Sequence, residues 1–471
     1  MKKTKIIATL GPASSSKERI KEMILAGLNV ARINFSHSSH KDAREMIKIV
    51  TELNEELSTN VAILGDLQGP KIRLGLVEEG LVVQNGQELI ITNEEKIGDN
   101  KSVYITYQDF PKDVSKGDKI LVDDGKILLK VISTDRKKEV KTKVIHGGPL
   151  RSKKGVNLPN TKISIPSLTR KDLKDLIFAL QENIEWIGLS FVRSADDVRS
   201  LQSIIRSRNS SARVVAKIEK PEAINELDEI IHISGAVMVA RGDLGVEVPM
   251  EQLPGLQKKI VRRCRRNSTP VIIATQMMES MIENATPTRA EITDVANSVY
   301  DGADAVMLSG ETSVGKFPVD VIKAMVSIID QVEGSEELTN PENPPVEVNE
   351  RYISNSICYH ACKLTDQVGA KAIICMTHSG FNAFKISSHR PDAQICVFTS
   401  NRKILNTLSL LWGTNGYFYD HAIGTDETIG EVHDILKEQG VLNTGDYVVN
   451  VASMPILEQG MTNMIKLSVI S

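Results

Sequence analysis

Short β-type runs alternate with amphipathic stretches of helical length through most of the first 335 residues, and the alternation is interrupted once. No other feature of the chain narrows its fold as much. Runs at Lys5–Leu10, Val30–Ser36, Val61–Leu67, Trp186–Val192, Arg213–Glu219, Ala236–Leu244, Val271–Gln276 and Ala305–Ser309 read as strands. Helical patterns follow them at Ser16–Ala26, Lys41–Leu57, Thr169–Asn183, Ala195–Arg208, Pro221–His232 and Leu253–Arg266. The last two are a helix opened by Thr286-Pro287 and closed by Gly302, and Pro318–Val332. Eight strand–helix units predict a (β/α)8 TIM barrel. A doubly wound sheet is the rival, but it usually needs fewer strands, and no GxGxxG follows any of these runs.

The interruption falls after the third strand. Across residues 70–165, short alternating runs are separated by Glu79-Gly80, Asn85-Gly86, Gly117-Asp118 and Asp124-Gly125. KILVDDGKILLKV reads as a hairpin with Asp124-Gly125 in a tight turn. An all-β domain is therefore expected inside a barrel made of residues 1–69 and 166–335. Residues 336–350 are acidic, hold Pro341, Pro344 and Pro345, and read as a linker. Residues 351–471 carry their own strand–helix periodicity and form a C-terminal α/β domain.

Composition excludes several function classes. A net charge of −3 gives no reason to expect nucleic-acid or membrane binding. Ile6–Leu10 is too short for a signal segment and is broken by Gly11-Pro12, and no run approaches the roughly 18 apolar residues of a spanning helix. A cytoplasmic location is expected. The five cysteines lack a CxxC pair and read as small buried hydrophobes in a reducing compartment.

A packed barrel interior is filled by branched apolar residues, so polar residues near strand ends stand out. Arg32, Asn34 and Ser36 alternate along the second run, and Asp66 ends the third. Ser190 lies on the fourth, Lys217 and Glu219 two apart on the fifth, Asp243 on the sixth and Thr275 on the seventh. One such residue is a satisfied core polar group by default. This many at one rim would leave unpaired buried charge unless they bind something. Glu219 and Asp243 are hard oxygen ligands without His or Cys company, which suits Mg2+ or Mn2+. Arg32 and Lys217 supply fixed positive charge, and Arg73, Lys153 and Lys154 in the insert add more. Cations around a carboxylate-held metal suit phosphoryl transfer, but a metal-assisted lyase or aldolase forming an enolate would use similar parts. The residues alone leave both open.

Longer stretches decide further. TKIIATLGPAS, NVARINFSH, GDLQGPKIR, SKKGVNLP, VVAKIEKPEAI, VMVARGDLGVE, TQMMESMI and PTRAEITDVANSVYDGADAVMLSGETSVGKFP, with MTHSG downstream, resemble the pyruvate kinase family over essentially the whole chain. The resemblance implies a phosphotransferase that converts phosphoenolpyruvate and ADP to pyruvate and ATP, the final step of glycolysis. It implies Lys217 beside the phosphoryl group in flight, Glu219 and Asp243 on Mg2+ (or Mn2+), and Arg32 on the phosphate. Gly242 and Thr275 would position the carboxylate and enolate, with Asn34, His37, Arg73 and Lys154 toward the nucleotide. The insert would be a closing lid. A homotetramer is the family's habit.

Two departures carry further expectations. Many family members have a glutamate that helps hold a required K+, where this chain has Lys71. Leu67, Gln68 and Leu74 also follow a lysine-bearing subgroup, so Lys71 is expected to replace the cation and K+ not to be required. Asn34, Ser36, Asp66 and Leu67 remain as donors of a monovalent-cation site. In the last domain, Thr377, Ser379 and Gly380 open a helix after a strand and form a phosphate cradle for an allosteric sugar phosphate or nucleotide. Phe381 stands where many members have arginine.

Overall fold

The structure, a computed structural model, describes residues 2–335 except 160 and 162, then 343–346, 348–421, 424–454 and 460–471. Most of the expected 336–350 linker lies outside the described residues. Among the described residues, eight parallel strands close into a barrel: Lys5–Thr9, Val30–Asn34, Ala62–Asp66, Trp186–Leu189, Arg213–Ile218, Ala236–Ala240, Val271–Ala274 and Ala305–Leu308. The first pairs with both the second and the eighth, which leaves no free edge.

The period-2 geometry of a strand sorts the residues. Ala31, Ile33, Val214, Ala216 and Ile218 pack outward in the layer between strands and helices. Ile7, Val30, Ala62, Leu64, Trp186, Val215, Met238 and Ile272 fill the interior in a separate cluster. Leu410, from the C-terminal region, joins this interior cluster.

The interruption after the third strand is a β structure. Among the described residues, a six-stranded sheet runs in the order Val156–Asn157, Lys119–Val122, Ile127–Thr134, Glu139–His146, Glu88–Thr92 and Ser102–Tyr104, with its own apolar core. The expected hairpin is present, but its loop spans Asp123–Lys126. Asp123, Asp124 and Gly125 all have positive φ (53°, 56° and 87°), so three residues rather than two carry the left-handed bend. Among the described residues, the C-terminal region forms a five-stranded sheet ordered Thr414–Phe418, Gln394–Thr399, Ala372–Met376, Tyr447–Ala452 and Met464–Val469, the last antiparallel. The run TNGYF at Thr414–Phe418 shows no apolar alternation, and its strand forms only because Gln394–Thr399 supplies the partner.

Several boundaries differ from the sequence pattern. The second strand ends at Asn34, and Ser36 sits in the following turn, so Arg32, Asn34 and Ser36 do not share one strand face. The sixth strand stops at Ala240, and Asp243 lies in the first turn of a short helix, Arg241–Glu247. The helix expected to open at Thr286 starts at Arg289 instead. Thr288 is its N-cap because Glu291, three residues on, completes a capping box. Pro221–His232 divides into two helices, Pro221–Asn225 and Leu227–Ile233.

The barrel and the C-terminal sheet meet through buried polar contacts. Arg390 Nη1 lies 2.9 Å from Asp304 Oδ1, its Nη2 donates to Gly302 O at 3.0 Å, and its guanidinium stacks 4.8 Å from the Trp412 ring. Lys5 Nζ donates to Thr414 O at 2.7 Å, and Asn406 Nδ2 to Glu185 Oε1 at 2.9 Å. All five cysteines are free and buried. Among the described residues no helix is long and apolar enough to cross a membrane.

Candidate active site

On four of the barrel strands the inward-facing column ends in a polar group at the carboxyl rim. Thr9 follows Ile7 on the first strand, Arg32 follows Val30 on the second, Asp66 follows Leu64 on the third and Lys217 follows Val215 on the fifth. Alternation therefore points all four into the same space. Arg32 is held by both neighbours: Nε donates to Asp66 Oδ2 at 2.8 Å and Nη1 to Thr9 Oγ1 at 2.8 Å. Lys217 Nζ donates to Ser190 Oγ at 2.7 Å and lies 3.2 Å from Asp66 Oδ1 and 3.0 Å from Glu219 Oε1. Among the described residues, Asp66 Oδ1 makes only that ion-pair contact and no hydrogen bond. The approach is close enough that a Cβ on Gly188 would come within 2.9 Å of Asp66 Oδ1.

The charges are unevenly balanced. Burial pushes the Asp66 carboxyl up, but Lys217 and Arg32 outweigh it and hold it below the usual carboxylate range. Burial pulls the Lys217 ammonium down, but Asp66 and Glu219 outweigh it and raise it, so Lys217 stays protonated. Glu219 differs. Its burial, together with the Asp243 charge, overcomes Lys217 and pushes it up to about 7. Its Oε2 accepts one backbone hydrogen bond, from Phe191 at 2.7 Å. Two carboxylates thus share a desolvated space with too little positive charge between them. Asp243 is half-buried and makes no ion pair among the described residues. A divalent cation between Glu219 and Asp243 removes that conflict. The donor set fits Mg2+, which takes one or two carboxylates and completes its shell with water and substrate oxygens. No group of three or more His, Cys, Asp or Glu side chains suited to a metal exists among the described residues, which disfavours an all-protein cage.

Thr275 and Gly242 form a second unit beside the first. Gly242 N donates to Thr275 Oγ1 at 2.7 Å, and Thr275 Oγ1 lies 2.6 Å from Ala274 O. Thr275 and Gln276 have φ of +71° and +54°, a left-handed pair that a β-branched residue rarely adopts. Arg241 fixes this turn. It pairs with both oxygens of Asp294, at 2.6 and 2.7 Å, and donates to Thr275 O at 2.8 Å.

Other expected residues lie nearby or elsewhere. Asn34 Oδ1 accepts from Ser36 N at 3.0 Å. Leu67 N donates to Gly188 O at 3.0 Å, and Leu67 O accepts from Ser190 Oγ at 2.7 Å. His37 is at the surface, and its imidazole is lowered by partial burial and then by Arg73, Lys71 and Arg32. Cations therefore crowd the place expected for the nucleotide. Lys71 itself is exposed and makes no ion pair among the described residues. Lys154 is turned onto Asp123 Oδ1 at 2.9 Å, within the insert. Thr377 and Ser379 line a separate cavity of about 350 Å3 in the C-terminal region, and Gly380, expected with them, is not among its lining residues. There Thr377 Oγ1 accepts from Gly380 N at 3.0 Å, and Phe381 lies 4.9 Å under the Arg351 guanidinium.

The sequence reading missed Thr9, Lys220, Glu247 and Asn157. Thr9 carried the same signal as Arg32, a polar residue in the inward register. Lys220 and Glu247 were recognisable only as neighbours of Glu219 and Asp243.

Comparison with known proteins gives one result throughout. The chain matches the family described as "Pyruvate kinase, barrel domain" over residues 1–322 and "Pyruvate kinase, alpha/beta domain" over residues 355–468. It is 43% identical to a pyruvate kinase of Corynebacterium glutamicum, over 98% of this chain and 97% of the relative. It is 39% identical to a pyruvate kinase of Staphylococcus aureus, over 100% of this chain and 81% of the relative. A solved pyruvate kinase from Cryptosporidium parvum superposes with a TM-score of 0.92 at 32% identity, covering 100% of this chain and 96% of that one.

Proposed function

The chain belongs to the pyruvate kinase family, a phosphotransferase family, and from that premise we propose how its own residues carry the reaction and how it is regulated. The substrates are phosphoenolpyruvate and ADP, and the products are pyruvate and ATP. The observation that carries the assignment is Lys217, a buried ammonium held between Asp66 and Glu219 at the end of the fifth strand. A phosphoryl group passing that point meets a fixed positive charge in a dry environment, where such charge is worth most.

Glu219 and Asp243 would hold Mg2+, which when bound supplies positive charge to the phosphate oxygens. Arg32, anchored by Thr9 and Asp66, faces the phosphate with its geometry already set. Gly242 N and Thr275 Oγ1 face the carboxylate and enolate of the substrate. In this structure they bond each other, so substrate binding exchanges that bond for its own oxygens. The enolate left after transfer takes its proton on the Thr275 side. Asn34, His37, Arg73 and Lys154 line the nucleotide side, and Lys154 leaves Asp123 to reach it. The 70–165 insert acts as a lid that excludes water. Assembly as a homotetramer and a cytoplasmic location belong to the same proposal. Five buried free thiols suit a reducing compartment.

Lys71 stands in for the monovalent cation. It is exposed, makes no ion pair among the described residues, and lies close enough to His37 to act on its charge. A coupled assay should show pyruvate release that needs phosphoenolpyruvate, ADP and Mg2+ together. Exchanging K+ for tetramethylammonium should leave the rate within about twofold, under half a kcal/mol of barrier. Lys71→Glu should make the rate depend on K+ by about tenfold or more, roughly 1.4 kcal/mol. A large loss on removing K+ from the parent enzyme sinks the substitution role. Pyruvate release without ADP sinks the phosphotransfer reading itself.

The cavity lined by Thr377 and Ser379, with Gly380 bonded to Thr377 beside it, is proposed to take a phosphorylated activator. Phe381 leaves its helix start without the family's arginine, but Arg351, at the N-cap of the helix Tyr352–Val368, brings a guanidinium over the same ring. Titration with hexose bisphosphates, hexose monophosphates and nucleoside monophosphates should find one that lowers KM for phosphoenolpyruvate. Arg351→Ala should weaken that response about tenfold, since a charge-assisted contact to phosphate contributes roughly 1.5–3 kcal/mol. No response to any of these compounds removes the regulatory proposal.

A further inference from the structure

Two buried residues and one half-buried residue beside the expected metal ligands tie the insert to the barrel rim. Lys220 Nζ donates to Glu247 Oε1 at 2.7 Å, and Asn157 Nδ2 donates to the same oxygen at 3.0 Å. Lys220 is 4% exposed and Glu247 3%, so neither charge is relieved by water. Glu247 Oε2 has no hydrogen-bond partner among the described residues. Asn157 belongs to the insert sheet, where its strand pairs with Lys119–Val122. Lys220 and Glu247 belong to the barrel.

Their places in the chain matter. Lys220 directly follows Glu219. Glu247 is four residues after Asp243 on the helix Arg241–Glu247, so the two carboxylates lie one turn apart on the same face. Lys220, Asp243, Glu247, Asn157 and Lys71 line one small cavity of about 30 Å3, room for a single water. A buried ammonium there must be neutralised. If Glu247 did not do it, the other carboxylates on the same cavity are Asp124, on the insert, and Asp243, on the barrel, and only Asp243 stays with Lys220 when the insert lifts.

We infer that Glu247 is a positioning residue with two tasks: it keeps Lys220 away from Asp243, and it docks the insert through Asn157. The inference rests on the assignment of Glu219 and Asp243 as divalent-cation ligands. Holding Lys220 on Glu247 leaves Asp243 free for the cation. When the insert lifts, Asn157 departs but the Lys220–Glu247 pair stays within the barrel. The metal site thus keeps its charge balance through opening and closing. Arg193 donates to Ile163 O at 2.7 Å and Ile165 O at 2.8 Å, so the returning end of the insert stays tethered when Asn157 leaves.

The full-length protein tests this with Mn2+ as the probe, by electron paramagnetic resonance or titration calorimetry, and with hydrogen exchange. Glu247→Gln keeps an acceptor for Asn157 but removes the charge that Lys220 needs. It should loosen Mn2+ about tenfold. Adding Lys220→Met to it should restore Mn2+ affinity to within about threefold of the parent, because the competing ammonium is gone. A role in folding alone would not produce that rescue. Asn157→Ala should leave Mn2+ affinity within twofold and speed amide exchange at residues 156–158 by about tenfold. Unchanged Mn2+ affinity in Glu247→Gln, or no rescue by Lys220→Met, overturns the sequestering task. Unchanged exchange in Asn157→Ala overturns the docking task. If the parent protein binds no Mn2+, the metal assignment has failed, and the sequestering task fails with it. The exchange result still judges the docking task on its own.

Discussion

Lys217→Met is expected to lower kcat by at least about a thousandfold, roughly 4 kcal/mol of barrier, with the chain still folded. Methionine has similar length and no charge. It removes the one ammonium that lies 3.0 Å from Glu219, 3.2 Å from Asp66 and 2.7 Å from Ser190 Oγ. Asp66 keeps Arg32 as a partner at 2.8 Å and so stays ionised. Glu219 loses its cation, and its burial then favours the protonated form even more than it does in the parent. That change protects the fold, because a neutral buried carboxyl costs less than an unpaired charge. It also harms the metal site, since a protonated Glu219 is a poor ligand. The loss should therefore appear in kcat with saturating Mg2+, and circular dichroism should remain that of the parent. A variant that retains more than about a tenth of the parental kcat would remove Lys217 from its assigned role, since less than about 1.4 kcal/mol would then be attributable to it.

Asp304→Ala should have the largest effect on stability, a loss of about 3–5 kcal/mol at the junction of barrel and C-terminal sheet. Asp304 has two bonds to lose. Oδ1 lies 2.9 Å from Arg390 Nη1, and Oδ2 accepts from Val271 N, the first amide of the seventh strand, at 2.9 Å. Arg390 is 4% exposed, so its charge would be left in a dry space. Arg265 is close by; burial and then the Arg390 charge already pull it down to about 10, and Asp304 opposes that pull. Without Asp304, two neighbouring guanidiniums lose the carboxylate that offsets their repulsion. Asp304→Asn should cost less, because its amide oxygen can still accept from Val271. Arg390→Met with Asp304→Leu should fall between the parent and the single alanine variant, since an apolar pair leaves no stranded charge. Chemical denaturation followed by tryptophan fluorescence reports the junction directly, as Trp412 stacks on Arg390. A loss below about 1 kcal/mol for Asp304→Ala would show that water reaches the junction and that the pair is effectively a surface one.

Much of the site was legible because strand geometry is strict. Alternation alone places Arg32, Asp66 and Lys217 above Val30, Leu64 and Val215, and the apolar residues beneath them are the ones that fill the barrel. Glu219 and Asp243 were recognisable by their lack of His or Cys company, which narrows the metal more than spacing does. The failures cluster where a strand ends. Ser36 follows the alternation of its strand but lies in a turn, and Asp243 lies on a helix that begins as the sixth strand stops. Apolar patterning says when a run is buried, not where its hydrogen-bonded partner ends. The left-handed Thr275–Gln276 pair had no sequence marker, because no glycine supplies that conformation there. Arg241, bonded to Asp294 and to Thr275 O, is what holds it.

By itself the sequence determined the classes of structure and the chemistry present: eight strand–helix units, one β interruption, a separate C-terminal α/β region, and cations and carboxylates in inward register. These follow from local periodicity, which each segment carries independently of the others. Only the tertiary structure decided the partnerships. Lys217 sits between Asp66 and Glu219, 151 and two residues away in the chain, and Glu247 joins Lys220 to Asn157 across 27 and 90 residues. The Arg390–Asp304 pair spans 86 residues. Barrel closure and domain docking set such distances, and the charges are strong there because the closed structure removes the water around them.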